Sequence, residues 1–221
     1  MLAQLGGGLD QIEREQSVRV VILACSGLES SSIEPHTWGA EKFEGVDIGT
    51  SAELAERICN RIDSFEVPVV ATLRGIVAGR ALHLALACHL RVAATNATLD
   101  LAGIDAGGGS RLAQELGAVH ELPEDRKTLS ADEAKQIGLV NRIVDEEHLL
   151  AEASLLADQI LELAPLAIRA CLTAVTRGLD RSLKEGLELE SNLFSGLFGT
   201  NDVREGTIAF LDKRRPSFTG T

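Results

Sequence analysis

Strand-like and helix-like apolar patterns alternate along the first two thirds of this chain, and helix-like patterns alone fill the last third. Leu2, Leu5, Leu9 and Ile12 recur at helical spacing, which predicts an N-terminal helix weakened by Gly6, Gly7 and Gly8. Residues 18–24 (VRVVILA) are short, β-branched and nearly all apolar, the pattern of a strand covered on both faces. Residues 25–50 are polar, rich in Ser and Gly, and read as a long loop. Thr50 and Glu53 have the spacing of a capping box, opening a helix with the apolar stripe Leu54, Ile58, Ile62 and Phe65. Residues 67–73 (VPVVATL) predict a second buried strand, 75–79 a turn bounded by glycines, and 80–88 (RALHLALAC) a buried helix.

Short strands are expected at 90–94 and 98–101. Gly107, Gly108 and Gly109 predict a turn into a helix near 110–116. Ser130 and Glu133 form another capping box, Gly138 ends that helix, and 139–144 follows as a strand. Beyond Asp145 the chain reads as helices punctuated by Pro165, Gly178 and Gly199. The expected class is α/β: a core over residues 1–145 followed by a helical region over 146–221.

Composition narrows the partners. The 221 residues carry a formal charge of −12 and only 3% aromatic residues, with no Tyr. Nucleic acid and anionic membranes are therefore not expected partners, and an anionic ligand would need local positive groups. No apolar run has the length of a membrane span, and the first residues lack the positive start of a secretory signal. Cys25, Cys59, Cys88 and Cys171 are widely spaced, with no CxxC pair, so each is expected to act as a small apolar residue in a reducing, cytoplasmic setting. Cys25, His36 and Trp38 show no metal-ligand spacing, and no metal is expected. There is no GxSxG, so a hydrolase nucleophile elbow is not supported, and Ser110 lacks a base to activate it.

Residues 67–94 (VPVVATLRGIVAGRALHLALACHLRVAA) resemble the core of the crotonase (enoyl-CoA hydratase/isomerase) superfamily. Residues 129–144 (LSADEAKQIGLVNRIV) resemble its S-A-x-E-A-x-x-x-G-L-V-N segment, and 205–218 (EGTIAFLDKRRPSF) its closing helix. The resemblance implies a spiral of β-β-α units, N-terminally short here, with a helical C-terminal region that forms trimers or dimers of trimers. It implies an acyl-CoA thioester as ligand and no other cofactor. It also implies an enolate-like intermediate, whose oxygen is gripped by two backbone N–H groups, one at a helix N-terminus.

Carried over residue by residue, the resemblance places Gly79 in the acyl pocket and one oxyanion amide on Arg80, where the family has glycine. The second amide falls in CSGLESSSIEPHTW, nearest Ser32 and Glu34, where the family pattern is not matched. One family glutamate corresponds to His83 and the other falls near Gly103, so Asp100 and Asp105 are the carboxylates left to stand in. Syn hydration needs one group to hold water and another to give a proton, so isomerisation or another single-base step with His83 is favoured. His89 stands where the family has Asp, and is expected as a helix-end residue favoured by the dipole. Gly107 and Gly108 open the helix that would face the acyl group, and Phe210 and Lys213 would meet the CoA adenine and a phosphate, with Arg214 and Arg215 adding positive charge. The alternative is a catalytically inactive pseudoenzyme that keeps the fold and serves as a structural or regulatory partner in a trimer.

Overall fold

Two long strands of the core each continue, after a bend, into a short strand of a second sheet. The computed structural model describes residues 2–15, 17–26, 48–101 and 128–221. A first helix, α1 (Leu2–Arg14), leads to β1 (Val21–Ser26), and α2 (Ile48–Asp63) leads to β2 (Val69–Arg74). Then come β3 (Ile76–Ala78), α3 (Gly79–Ala87), β4 (Leu90–Ala94) and β5 (Thr98–Asp100). After these lie β6 (Thr128–Ser130), α4 (Ala131–Gln136) and β7 (Arg142–Val144). A single 3-10 turn (Glu146–His148) opens the helical part: α5 (Leu149–Leu161), α6 (Pro165–Gly178), α7 (Leu183–Leu197) and α8 (Asn201–Asp212).

The main sheet has the order β1-β2-β4-β7, every pair parallel, with Val21 opposite Val69 and Val92 opposite Arg142. The small sheet has the order β3-β5-β6, with β3 and β5 parallel and β6 antiparallel. Gly75, at φ 60, makes the bend from β2 into β3, a left-handed conformation that a side chain disfavours. The core lies where α3 and α5 meet the main sheet and α2 packs on α3: Ile62, Val70, Leu73, Leu82, Leu86, Val92 and Leu99 are all fully buried. Covered faces explain why these strands read as continuous apolar runs.

Several expected boundaries move. The first strand starts at Val21 rather than at residue 18, because Val18 N–H donates to Glu15 O in the turn after α1, and Pro68 O accepts from Val21 N–H where pairing with β2 begins. Thr50 does not open its helix, which begins two residues earlier at Ile48. Residues 75–79 are more than a turn: they contain β3, held by Thr98 N–H donating to Gly75 O and by pairing with β5. The strand expected at 139–144 narrows to β7, because the N–H of Val140 bonds to Ala134 O and that of Asn141 to Arg91 O. Helix α1 forms through its three glycines, with Leu5, Leu9 and Ile12 on the core and Arg61 reaching Gly6 O while pairing with Glu13 and Asp10. The Ser130 capping box is present with both of its bonds, and Gly138, at φ 83, follows α4 as expected.

The last residues fold back along α8. The buried Asp202 carboxylate accepts from the N–H groups of Thr219 and Gly220, and Glu205 accepts from Ser217 N–H. Helices α6 and α7 pack closely on each other, yet neither has a buried residue.

Candidate active site

The bend before α3 brings together three of the residues singled out from sequence. β3 ends at Ala78, which stands opposite Asp100, the last residue of β5. Gly79 follows at φ 51, so glycine suits the bend for its backbone conformation; a Cβ there would meet no described atom within 4 Å. Arg80 is then the second residue of α3 and is half-buried. Ala78, in the N-cap position, has no side chain able to cap the helix, so no side-chain cap covers the first-turn amides. His83 lies one turn further into α3, half-buried, with Nε2 shut off from solvent. Gly79 and Arg80 thus open α3, Asp100 ends the strand paired beside its start, and His83 lies at the middle of the helix. Asp105, Gly107, Gly108, Ser32 and Glu34 lie outside the described residues.

The other end of α3 holds a group that pattern reasoning missed. Arg91, in β4, is only 3% exposed. Its Nη1 donates to Cys88 O at 2.7 Å, Ala85 O at 3.2 Å and Leu86 O at 3.4 Å, and its Nε to Leu139 O at 2.5 Å. The available signal was one charge inside the otherwise apolar LRVAA. His89 corrects an expectation. Its Nδ1 accepts from Val69 N–H at 3.0 Å while its backbone N–H donates to Val69 O at 3.0 Å. Burial pushes its pKa down, with the Arg91 charge adding to that and Asp63 opposing it, so the neutral ring is favoured rather than a cation drawn to the helix dipole. Cys25 is likewise a packing group: burial, with Cys59 nearby, pushes its thiol up to about 12. Cys59 and Cys88 are buried too, whereas Cys171 is exposed, against the expectation of a packing role.

Phe210 and Lys213 sit at the far end of α8. Phe210 is 82% exposed, and Lys213 caps the helix in the left-handed conformation at φ 53. The expected positive cluster is smaller than it reads. Arg214 pairs with both oxygens of Glu205, holding that carboxyl down to about 2, and Arg215 pairs with Glu162. Lys213 is the member of the cluster without an ion pair among the described residues. Helix α8 makes no substantial contact with α3 or β5 among those residues. The described residues hold no group of His, Cys, Asp and Glu arranged for a metal, and no described helix is long and apolar enough to cross a membrane.

The family model for enoyl-CoA hydratase/isomerase matches residues 1–221. The chain belongs to the enoyl-CoA hydratase/isomerase family. It is 32% identical to the mouse mitochondrial enoyl-CoA hydratase domain-containing protein 2, over 99% of this chain and 78% of that protein. It is 28% identical to the crotonyl-CoA hydratase of Syntrophomonas wolfei, over 98% of this chain and 86% of that one. Among solved structures, the enoyl-CoA hydratase of Bacillus anthracis superposes with a TM-score of 0.88 at 30% identity, covering 100% of this chain and 88% of that one. The enoyl-CoA hydratase of Mycobacterium smegmatis gives a TM-score of 0.81 at 26% identity, over 99% and 88%. The fold is the crotonase fold, and its β-β-α units are the strand, bend, short strand and helix running from β2 to α3.

Proposed function

We propose that this family member binds an acyl-CoA and polarises its thioester with backbone N–H groups in the first turn of α3, at Arg80. The observation that carries this is the register of the small sheet, which sets Asp100 opposite Ala78, one residue before the bend. In this reading Asp100 takes a proton from the acyl α-carbon, and His83, one turn into α3, returns one. With the family glutamates absent, the reaction favoured is a proton shift through an enolate, rather than addition of water. Phe210 and Lys213 supply the CoA contacts from α8. Because α8 stands apart from α3 within a chain, the ligand is covered by α8 of a neighbouring copy in a homotrimer, and the exposed apolar residues of α6 and α7 support such assembly.

Arg80 favours a second reading. A half-buried side chain stands where the family has glycine, the arrangement of a protein that keeps the fold without turnover. Thermal shift with CoA and crotonyl-CoA separates the two readings. At about 100 times its Kd, a ligand adds about 2.7 kcal/mol of stability. Exchange of the bound acyl α-proton with deuterated solvent then tests the chemistry, and Asp100→Asn is expected to abolish it. Binding without exchange selects the inactive partner; no shift with any CoA species removes the ligand reading altogether.

A further inference from the structure

The carbonyl end of α3 is held by a buried arginine that the thioester chemistry does not use. One Arg91 nitrogen gathers the Ala85, Leu86 and Cys88 carbonyls, and the same side chain reaches Leu139 O before β7. The Arg91 backbone is fixed as well: its N–H donates to Asn141 Oδ1 at 2.8 Å, and its carbonyl accepts from Asn141 N–H at 2.9 Å. The next residues of β4, Val92, Ala93 and Ala94, are all apolar and fully buried. A side chain needed only to fill this space would be apolar too, because a buried guanidinium is costly unless its N–H groups are partnered.

Helix α3 spans nine residues, about 13 Å, from the Gly79 bend to these carbonyls. A rod this short carries any rotation at one end to the other. We propose that Arg91 is a positioning residue: it fixes the axis of α3 so that the first-turn amides hold their aim at the thioester oxygen beside Asp100. The proposal rests on those amides being the polarising group.

Acetoacetyl-CoA is the probe. Its α-carbon gives a proton to a base, the C–H electron pair becomes the enolate, and the enolate has a near-ultraviolet band that the keto form lacks. The full chain and its Arg91→Met, Arg91→Lys and Asn141→Ser variants are titrated with it at matched folded fraction. The wild type is expected to raise the band. Arg91→Met and Arg91→Lys should lower the enolised fraction of bound probe about tenfold, and Asn141→Ser about threefold. Affinity for CoA itself, which has no thioester, should stay within about twofold. Folded variants that keep the wild-type band overturn the proposal. A wild type that binds the probe without any band overturns the polarising role of α3 and this role with it, a result distinct from the first. If Arg91→Met does not fold, Asn141→Ser, which removes one anchor and leaves the guanidinium in place, decides.

Discussion

Helices α3 and α7 both carry apolar residues, and they treat them in opposite ways. α3 buries Leu82, Leu84, Ala85, Leu86 and Ala87, whereas α7 buries nothing and leaves Leu183 80% and Phe194 61% exposed. α6 behaves like α7, with Val175 exposed and no buried residue. Both regions have ordinary helix-forming sequences, so the difference lies in what each helix meets. α3 lies on a sheet of its own chain, while α6 and α7 meet mainly each other. The core is therefore closed by the chain itself, while the C-terminal helices leave apolar side chains open.

The largest test of this contrast sets one residue from each region side by side. Leu86→Ala removes a fully buried side chain and is expected to cost about 2–5 kcal/mol in urea unfolding. Leu187→Ala, at an exposed site, should cost within about 0.5 kcal/mol in a dissociated chain. Phe194→Glu is expected to lower the mass seen in sedimentation while leaving the sheet's unfolding transition in place. A Phe194→Glu protein of unchanged mass would remove α7 from any contact between copies.

Asp202 comes next. Its carboxylate is 3% exposed and accepts from Thr219 N–H at 2.8 Å and from Gly220 N–H at 3.0 and 3.2 Å. Asp202→Ala leaves two tail amides without their acceptor, a loss of about 1–3 kcal/mol. It should appear as faster hydrogen exchange across residues 217–221, with the main sheet unaffected. Unchanged exchange there would mean that Phe218, packed near Gly206, holds the tail on its own.

His89 gives the core a pH dependence just below neutrality. Its folded pKa lies below 6.5, so the unfolded chain binds the extra proton first as pH falls. The stability it contributes is fully present above about 6.5 and is lost as pH drops below that value towards the folded pKa. His89→Gln should flatten the stability profile in this window, read by chemical unfolding at a series of pH values. An equally steep profile in His89→Gln would assign the slope to other groups.

How much of this was legible in the sequence depends on the range of the interaction. The Ser130 box, the φ at Gly138, β4 and the breaks at Pro165 and Gly178 are local, and residues within a few positions of each other declare them. β3 was missed because three residues carry no period; only pairing with β5, some twenty positions on, makes them a strand. The Thr50 box failed because Ile48 already lies in the helix. At the site, the matching block at 67–94 marked α3, but Asp100 gained its place only through the register with Ala78. The charge run at 213–215 looked free because Glu205 and Glu162, which neutralise two of its members, are 9 and 53 residues away.

The smallest effect sharpens the comparison most, because the chemistry is the same in both regions. Ser130 and Ser182 each close a capping box, with their hydroxyls accepting from the N–H of Glu133 and Glu185, and with those glutamates accepting in return from the serine N–H. Removing either hydroxyl by a Ser→Ala change should cost about 1 kcal/mol. What differs is where that cost is felt. α4 follows directly on β6 and buries Ala131 and Ala134, so Ser130→Ala should move the unfolding of the sheet. α7 is packed on α6 and buries nothing, so Ser182→Ala should raise local exchange in α6 and α7 and leave the sheet transition where it was. If Ser182→Ala instead shifts the sheet transition as much as Ser130→Ala does, the two regions unfold as one unit, and the exposed helices are stabilised through the core rather than through another copy.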